Sequence, residues 1–216
     1  MAACWMLTPD DDRTDGRLIK YLNEPAKWRP FDPPLFDHLR ELVLDQNLRD
    51  IRGAETPAIL PSCRFGPGIL PDDAGGRAKY FEAFMELAEG CDLVFFDPDN
   101  GIEVRSKPYG RKDSSKHVYW QELVNAFRAG PSVLIYQHFP RVKREPFIQE
   151  LAKELALKTS AQEVFSFRTP RVLFLLAPPE HHRKLLEGHS EKVEEVWGSQ
   201  MRLTRHLSRC PSPSPQ

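Results

Sequence analysis

At 216 residues, 40% of them hydrophobic, the chain can bury one large domain's core. Thirty basic against 31 acidic residues leave a formal charge of −1, so no global field draws it to nucleic acid or anionic lipid, and any basic site has to be local. Cys4, Cys63, Cys91 and Cys210 are scattered without CxxC spacing, which argues against a zinc or disulfide framework and for a reducing, cytoplasmic setting.

The opening MAACWMLTPDDD lacks the basic region and long apolar stretch of a secretory signal. No apolar run approaches the ~20 residues of a membrane-spanning helix, so no membrane role is expected. Ala3 to Leu7 reads as a short strand, ended by the turn-rich TPDDDRTDG. A helix is expected from Pro34, with Leu35, Leu39, Leu42 and Val43 at helical spacing behind Asp32 and two prolines. Thr56 to Leu60 reads as a brief strand, and PSCRFGPGILPDDAGG as a long loop. From about Arg77 to Glu89 a helix presents Tyr80, Phe81, Phe84, Leu87 and Ala88 on one face.

The second half alternates regularly. Strand 93–97 leads through a basic loop to a helix expected over 115–127, then strand 133–137 and helix 145–157. EVFSFR and RVLFLLA follow as two strands, separated by too few residues for a parallel crossover. The expected fold is therefore α/β: a doubly wound, mostly parallel sheet with a terminal antiparallel strand pair. Residues 1–178 should form one α/β domain, with 1–75 either a divergent part of it or a cover. A charged helical extension is expected over 179–207 and a disordered tail over 208–216.

The most informative segment is CDLVFFDPDNGIEV. Four consecutive apolar residues suit a buried strand, and Pro98 and Gly101 end it in an acidic turn. Asp97, Asp99 and Asn100 then sit at the carboxyl edge of an open sheet, where such sheets bind ligands. Asp99-Asn100-Gly101 can equally serve as a tight turn with Asp97 as a cap. If strand 133–137 is parallel to strand 93–97, its end brings Gln137, His138 and Arg141 to the same edge. His138 suits proton transfer or ligand hydrogen bonding, or is satisfied by local backbone. The loop between carries Lys112 and Lys116 near Tyr109, Tyr119 and Trp120, a mixture suited to phosphate and base contacts or to plain solvation.

With these residues in place, DLVFFDPDN followed by SVLIYQHFP and the final strand pair resembles the carboxyl half of the class I AdoMet-dependent methyltransferases, over about residues 77–177. The resemblance implies a Rossmann-like sheet finishing in an antiparallel strand. It also implies a glycine-rich turn after the first strand for S-adenosylmethionine, and an acceptor amine held by Asp97 and the Pro98 carbonyl. Asp99 and Asn100 stand where that family has a second proline and an aromatic residue. FFDPDNGIEV also resembles a segment of the vicinal-oxygen-chelate enzymes, in which Glu103 would ligate a metal; their βαβββ repeat fits the alternation after Gly101 poorly.

Three readings follow. One is a methyltransferase-like enzyme acting on a nucleic acid or nucleotide, with Asp97, Pro98, Asn100 and His138 at the acceptor and Lys112, Lys116, Arg141 and Tyr109 at the substrate. Another is phosphoryl or phosphodiester chemistry with Mg²⁺ or Mn²⁺ held by Asp97, Asp99 and Glu103. The third is a non-catalytic nucleic-acid-binding or interaction protein.

Overall fold

The computed structural model describes residues 1–9 and 18–208. The chain divides into two compact units, Met1–Thr8 with Arg64–Gln216, and Pro9–Cys63. Strands of the first are β1 (Ala2–Cys4), β2 (Arg64–Phe65), β3 (Leu93–Phe96), β4 (Gly101–Ile102), β5 (His117–Val118), β6 (Ser132–His138), β7 (Glu163–Arg168), β8 (Val172–Ala177) and β9 (Arg202–Leu207). The helices are α1 (Pro25–Trp28) and α2 (Pro33–Arg40) in the second unit. The first unit holds α3 (Ala74–Leu87), α4 (Trp120–Arg128), α5 (Arg144–Thr159) and α6 (Glu180–Trp197).

Seven strands form one sheet in the order β2-β1-β3-β6-β8-β7-β9, while β4 and β5 make a separate parallel pair. The strands β2, β1, β3 and β6 are mutually parallel. Antiparallel pairing of β6 with β8, β8 with β7 and β7 with β9 completes the sheet. Five of the seven strands thus run one way, and the hairpin expected from EVFSFR and RVLFLLA is present as β7 and β8.

Side chains alternate between two buried layers. Val94, Phe96, Val133, Ile135, Leu173 and Leu175 meet Phe84 of α3, Leu123 of α4 and Leu155 of α5 in the main core. Each such side chain, fully buried, stabilises the fold by roughly 1.5–3 kcal/mol. On the other face Leu93, Leu134, Phe165 and Phe174 pack with Leu186 and Val193 of α6 and Leu203 of β9. Helices therefore cover both faces. β3 is covered on both faces, as its run of four apolar residues implies, but unevenly: Val94 and Phe96 are fully buried while Leu93 and Phe95 are half-buried.

Several expected boundaries move. Residues 56–60 form a turn, not a strand: the Ile59 and Leu60 amides both donate to the Thr56 carbonyl. The helix expected over 115–127 begins only at Trp120, because 114–116 make a single tight turn and His117–Val118 pair with β4. Glu122 sets that start by accepting the Tyr119 amide at 2.8 Å. The extension 179–207 is not all helical: α6 stops at Trp197, and Arg202–Leu207 pairs along the otherwise open edge of β7. Within 1–75, the two strands β1 and β2 complete the sheet, while Pro9–Cys63 is a unit of its own. There α2 is capped by Asp32, which accepts the Leu35 amide at 3.1 Å. Most of TPDDDRTDG and of the expected tail 208–216 lies outside the described residues. No helix among the described residues is long and apolar enough to cross a membrane.

Candidate functional site

The carboxyl ends of β1, β3 and β6 lie side by side, because these strands are parallel and adjacent. β3 ends at Phe96, and the Asp97 amide still donates to the Cys4 carbonyl of β1 at 2.9 Å. Beyond Cys4 the backbone bends through Met6 at φ 49°, and the Thr8 hydroxyl donates to Asp99 Oδ2 at 3.1 Å. Alternation puts Phe95 and Asp97 on one face of β3, and Leu134, Tyr136 and His138 on the matching face of β6. Tyr136 packs edge-on against Phe174 of β8 and against the His138 ring.

No hydrogen-bond donor among the described residues reaches the Asp97 carboxyl, which is half-buried. Burial first, and the charge of Asp99 second, push its pKa up to about 7. Tyr136 responds to the same surroundings. Burial and then the charges of Asp97 and Asp99 raise it to about 12, so its hydroxyl keeps the proton at neutral pH. That hydroxyl shares a 3.0 Å hydrogen bond with His138 Nε2, leaving the exposed imidazole anchored to the half-buried tyrosine. A carboxyl poised near neutrality can take a proton from a ligand N–H or O–H.

The turn after Asp97 is built rigidly. Gly101 adopts φ +97°, and a Cβ there would stand 2.4 Å from the Gln137 side chain. Gln137 points to the face opposite Tyr136, accepts the Ile102 amide at 2.8 Å and donates to the His138 carbonyl at 2.7 Å. It acts as a clamp joining β4 to the end of β6. The Asn100 amide donates to the Lys116 carbonyl at 2.9 Å, bringing the end of the cationic loop to the acidic turn.

The loop itself is held from beneath by Arg77, a fully buried arginine that the sequence reading passed over. Its guanidinium makes two bonds to the Glu122 carboxylate, at 2.6 and 2.9 Å, and donates to the Ser114 and His117 carbonyls. Asp72 supplies the second anchor, accepting the Asp113 and Ser115 amides at 2.9 and 2.8 Å. Burial opposes its ionisation, but those bonds outweigh burial and lower its pKa. The only sequence signal for Arg77 was a cation on the helix face that carries Tyr80, Phe81 and Phe84; Tyr109 and Tyr119 rings stack about that cation.

The structure therefore joins Asp97, Asp99, Asn100 and Lys116 at one edge with Tyr136 and His138. Pro98 is buried in the turn, and Lys112 is exposed on the loop. Tyr109 is elsewhere. It stacks edge-on with Tyr119 at 5.0 Å and lines a separate cavity of about 540 Å³ with Glu103 and Trp120. Glu103 accepts the Trp120 amide at 3.4 Å, and no group of three His, Cys, Asp or Glu side chains that could hold a metal ion exists among the described residues. Nor does a βαβββ repeat follow Gly101, since β4 and β5 are parallel.

No family model, curated protein or solved structure matches this chain.

Where the resemblance implies a glycine-rich turn stand Trp5, Met6 and Leu7. Trp5 stacks on Phe65, Met6 is buried, and Leu7 goes on to bridge Ile69 in parallel. Beyond the end of β1 the backbone bends at Met6 and reaches Ile69 through a single parallel bridge. Residues 5–7 thus do not supply the glycine-rich turn that the resemblance implies for S-adenosylmethionine.

Proposed function

We propose that this chain is an enzyme of methyltransferase-like, Rossmann-like architecture. On this reading Asp97 binds and deprotonates an amino or hydroxyl group of a nucleotide or nucleic acid. The observation that carries it is the Asp97 carboxyl itself: half-buried, without a hydrogen-bond donor among the described residues, and with its pKa brought to about 7 at the carboxyl edge of the sheet. A ligand N–H or O–H would donate to Asp97, orienting the lone pair and then surrendering the proton. Tyr136 and His138 border the same face and hold a hydrogen bond with a solvent-facing end. Lys116 and the Asn100 backbone flank the turn, and Arg141 follows β6. The sheet order supports the architectural part of the reading: the antiparallel strand β8 sits between the parallel strands β6 and β7 near its end.

The test is calorimetric titration with S-adenosylmethionine, with and without EDTA, on wild type and Asp97→Asn. Saturable binding that survives EDTA supports methyl transfer and opens acceptor screening. Absence of both heat and thermal stabilisation would overturn the methyl-donor part of the reading.

A second reading has its own support. Asp99 raises the pKa of Asp97 by like-charge repulsion, and a divalent cation together with substrate phosphate would relieve that repulsion. Mg²⁺ or Mn²⁺ would then stabilise wild type thermally and fail to stabilise Asp97→Asn. If Asp97→Asn alters neither response and the partner still binds, a non-catalytic binding role replaces both enzymatic readings.

A further inference from the structure

We infer that the groove at the carboxyl end of β6 is a track for the phosphodiester backbone of a single nucleic-acid strand. The inference rests on the proposed substrate class and narrows it from nucleotide to polynucleotide.

The groove measures about 630 Å³ and is lined by Phe139, Arg141, Lys143, Arg144, Pro170 and Arg171, among others, with no acidic side chain of the described residues in its wall. Its four cations have no carboxylate partner among the described residues. Elsewhere in the chain Arg29, Arg52, Arg77, Lys107, Arg168 and Arg205 are held by carboxylates.

The position of these charges adds a second argument. Lys143 is the N-cap of α5 and Arg144 its first residue, at the end where the helix dipole is positive. Cations there repel the dipole, and an anion would relieve both. Glu145, the one acid in the first turn, is already bound by Arg168. The Lys143 side chain makes no capping bond, so the first amides of a sixteen-residue helix also lack a side-chain acceptor there. Arg144 lies 4.9 Å over the Phe139 ring, a flat cationic and aromatic surface of the kind on which a base can stack.

Four cations spread over two segments of the chain exceed what one phosphate can use, which favours a polymer. The track also leads to the site. Phe139 directly follows His138, and Arg171 directly precedes Val172, the residue paired with His138 in the sheet. A strand lying in the groove would pass His138 and Tyr136 and present a base toward Asp97.

The experiment is fluorescence anisotropy with labelled single-stranded DNA and RNA of about 20 nucleotides, over a range of salt, against wild type, Arg141→Ala/Arg171→Ala and Asp97→Asn. Wild type should bind with an affinity that falls as salt rises. The double alanine variant should bind at least ~10-fold more weakly, with a log–log salt slope smaller by roughly 1.4, two phosphate contacts at ~0.7 each. Arg141→Lys/Arg171→Lys should restore most of the binding and the slope, which a fold defect would not allow. Unchanged binding by the double alanine variant would overturn the track while leaving the Asp97 reading untouched. Binding to anionic phosphatidylserine vesicles but to neither oligonucleotide would also overturn it. Oligonucleotide binding that Asp97→Asn retains, in a protein silent toward S-adenosylmethionine and metals, would sustain the track and defeat the enzymatic reading.

Discussion

Replacing Asp97 by Asn should stabilise the protein at alkaline pH, even as it removes the proposed acid–base group. In the folded chain this carboxyl has a pKa of about 7, against an ordinary aspartate value of 3.8. The sign follows from linkage. A folded pKa above the unfolded one means the native state holds its proton longer, so the contribution is complete below the unfolded pKa and is lost as pH rises through about 7. At ~1.36 kcal/mol per pKa unit the full difference corresponds to about 4 kcal/mol, and solvent access to a half-buried carboxyl lowers this to roughly 1–3 kcal/mol. Asn keeps the shape and carries no charge, so it escapes this loss. Thermal melts of both proteins between about pH 4 and pH 8 measure it as a difference of differences. For a domain of this length, wild type should lose roughly 2–10 °C relative to Asp97→Asn over that range. Parallel pH profiles for the two proteins would refute the reasoning, because they would mean that Asp97 ionises normally in the fold.

Other outcomes follow from the same geometry. Arg77→Met should cost roughly 3–5 kcal/mol by leaving Glu122 buried and unpaired, and Arg77→Met/Glu122→Leu should recover a large part of that in denaturant titrations. Gly101→Ala should lose about 1–3 kcal/mol from backbone strain at φ +97°, plus the contact with Gln137. Adding Gln137→Ala would relieve the contact but not the strain. Asp72 has a lowered pKa, so its stabilisation is present at neutral pH and disappears as pH falls below the ordinary carboxylate range. Asp72→Asn should therefore melt lower than wild type at neutral pH, and the two curves should converge in acid. Tyr136→Phe should leave the melting temperature nearly unchanged and remove the hydrogen bond to His138, visible as altered imidazole proton shifts in NMR spectra taken at a single pH.

Much of the frame was legible in the chain itself. β3, β6, α5 and the β7–β8 hairpin were readable because each is a local apolar pattern bounded by turn residues: LVFF before Asp-Pro, SVLIYQ before His-Phe-Pro, and two runs broken at Thr169-Pro170. Parallel pairing of β3 with β6 then places Asp97 and His138 at one edge, as the strand-then-helix alternation had implied. β2, β5 and β9 escaped notice because two- and six-residue strands with polar or mixed composition are fixed by their neighbours: Arg64–Phe65 by β1, His117–Val118 by β4, Arg202–Leu207 by the edge of β7. Periodicity carries no record of such pairings.

The site divides in the same way. The acidic turn at Asp97, with its proline and glycine, is a property of consecutive residues, and so is the excess of cations from Arg141 to Arg144. Tyr136 joins Asp97 only because parallel register sets the two on one face, and Arg77 becomes a buried anchor only because α3 and α4 meet over the loop. Arg171 enters the groove solely through antiparallel pairing of β8 with β6. Residue types and local turns are written along the chain; proton affinity and charge balance depend on which groups are brought together and how much water remains between them, and that distance-dependent part exists only in the folded molecule.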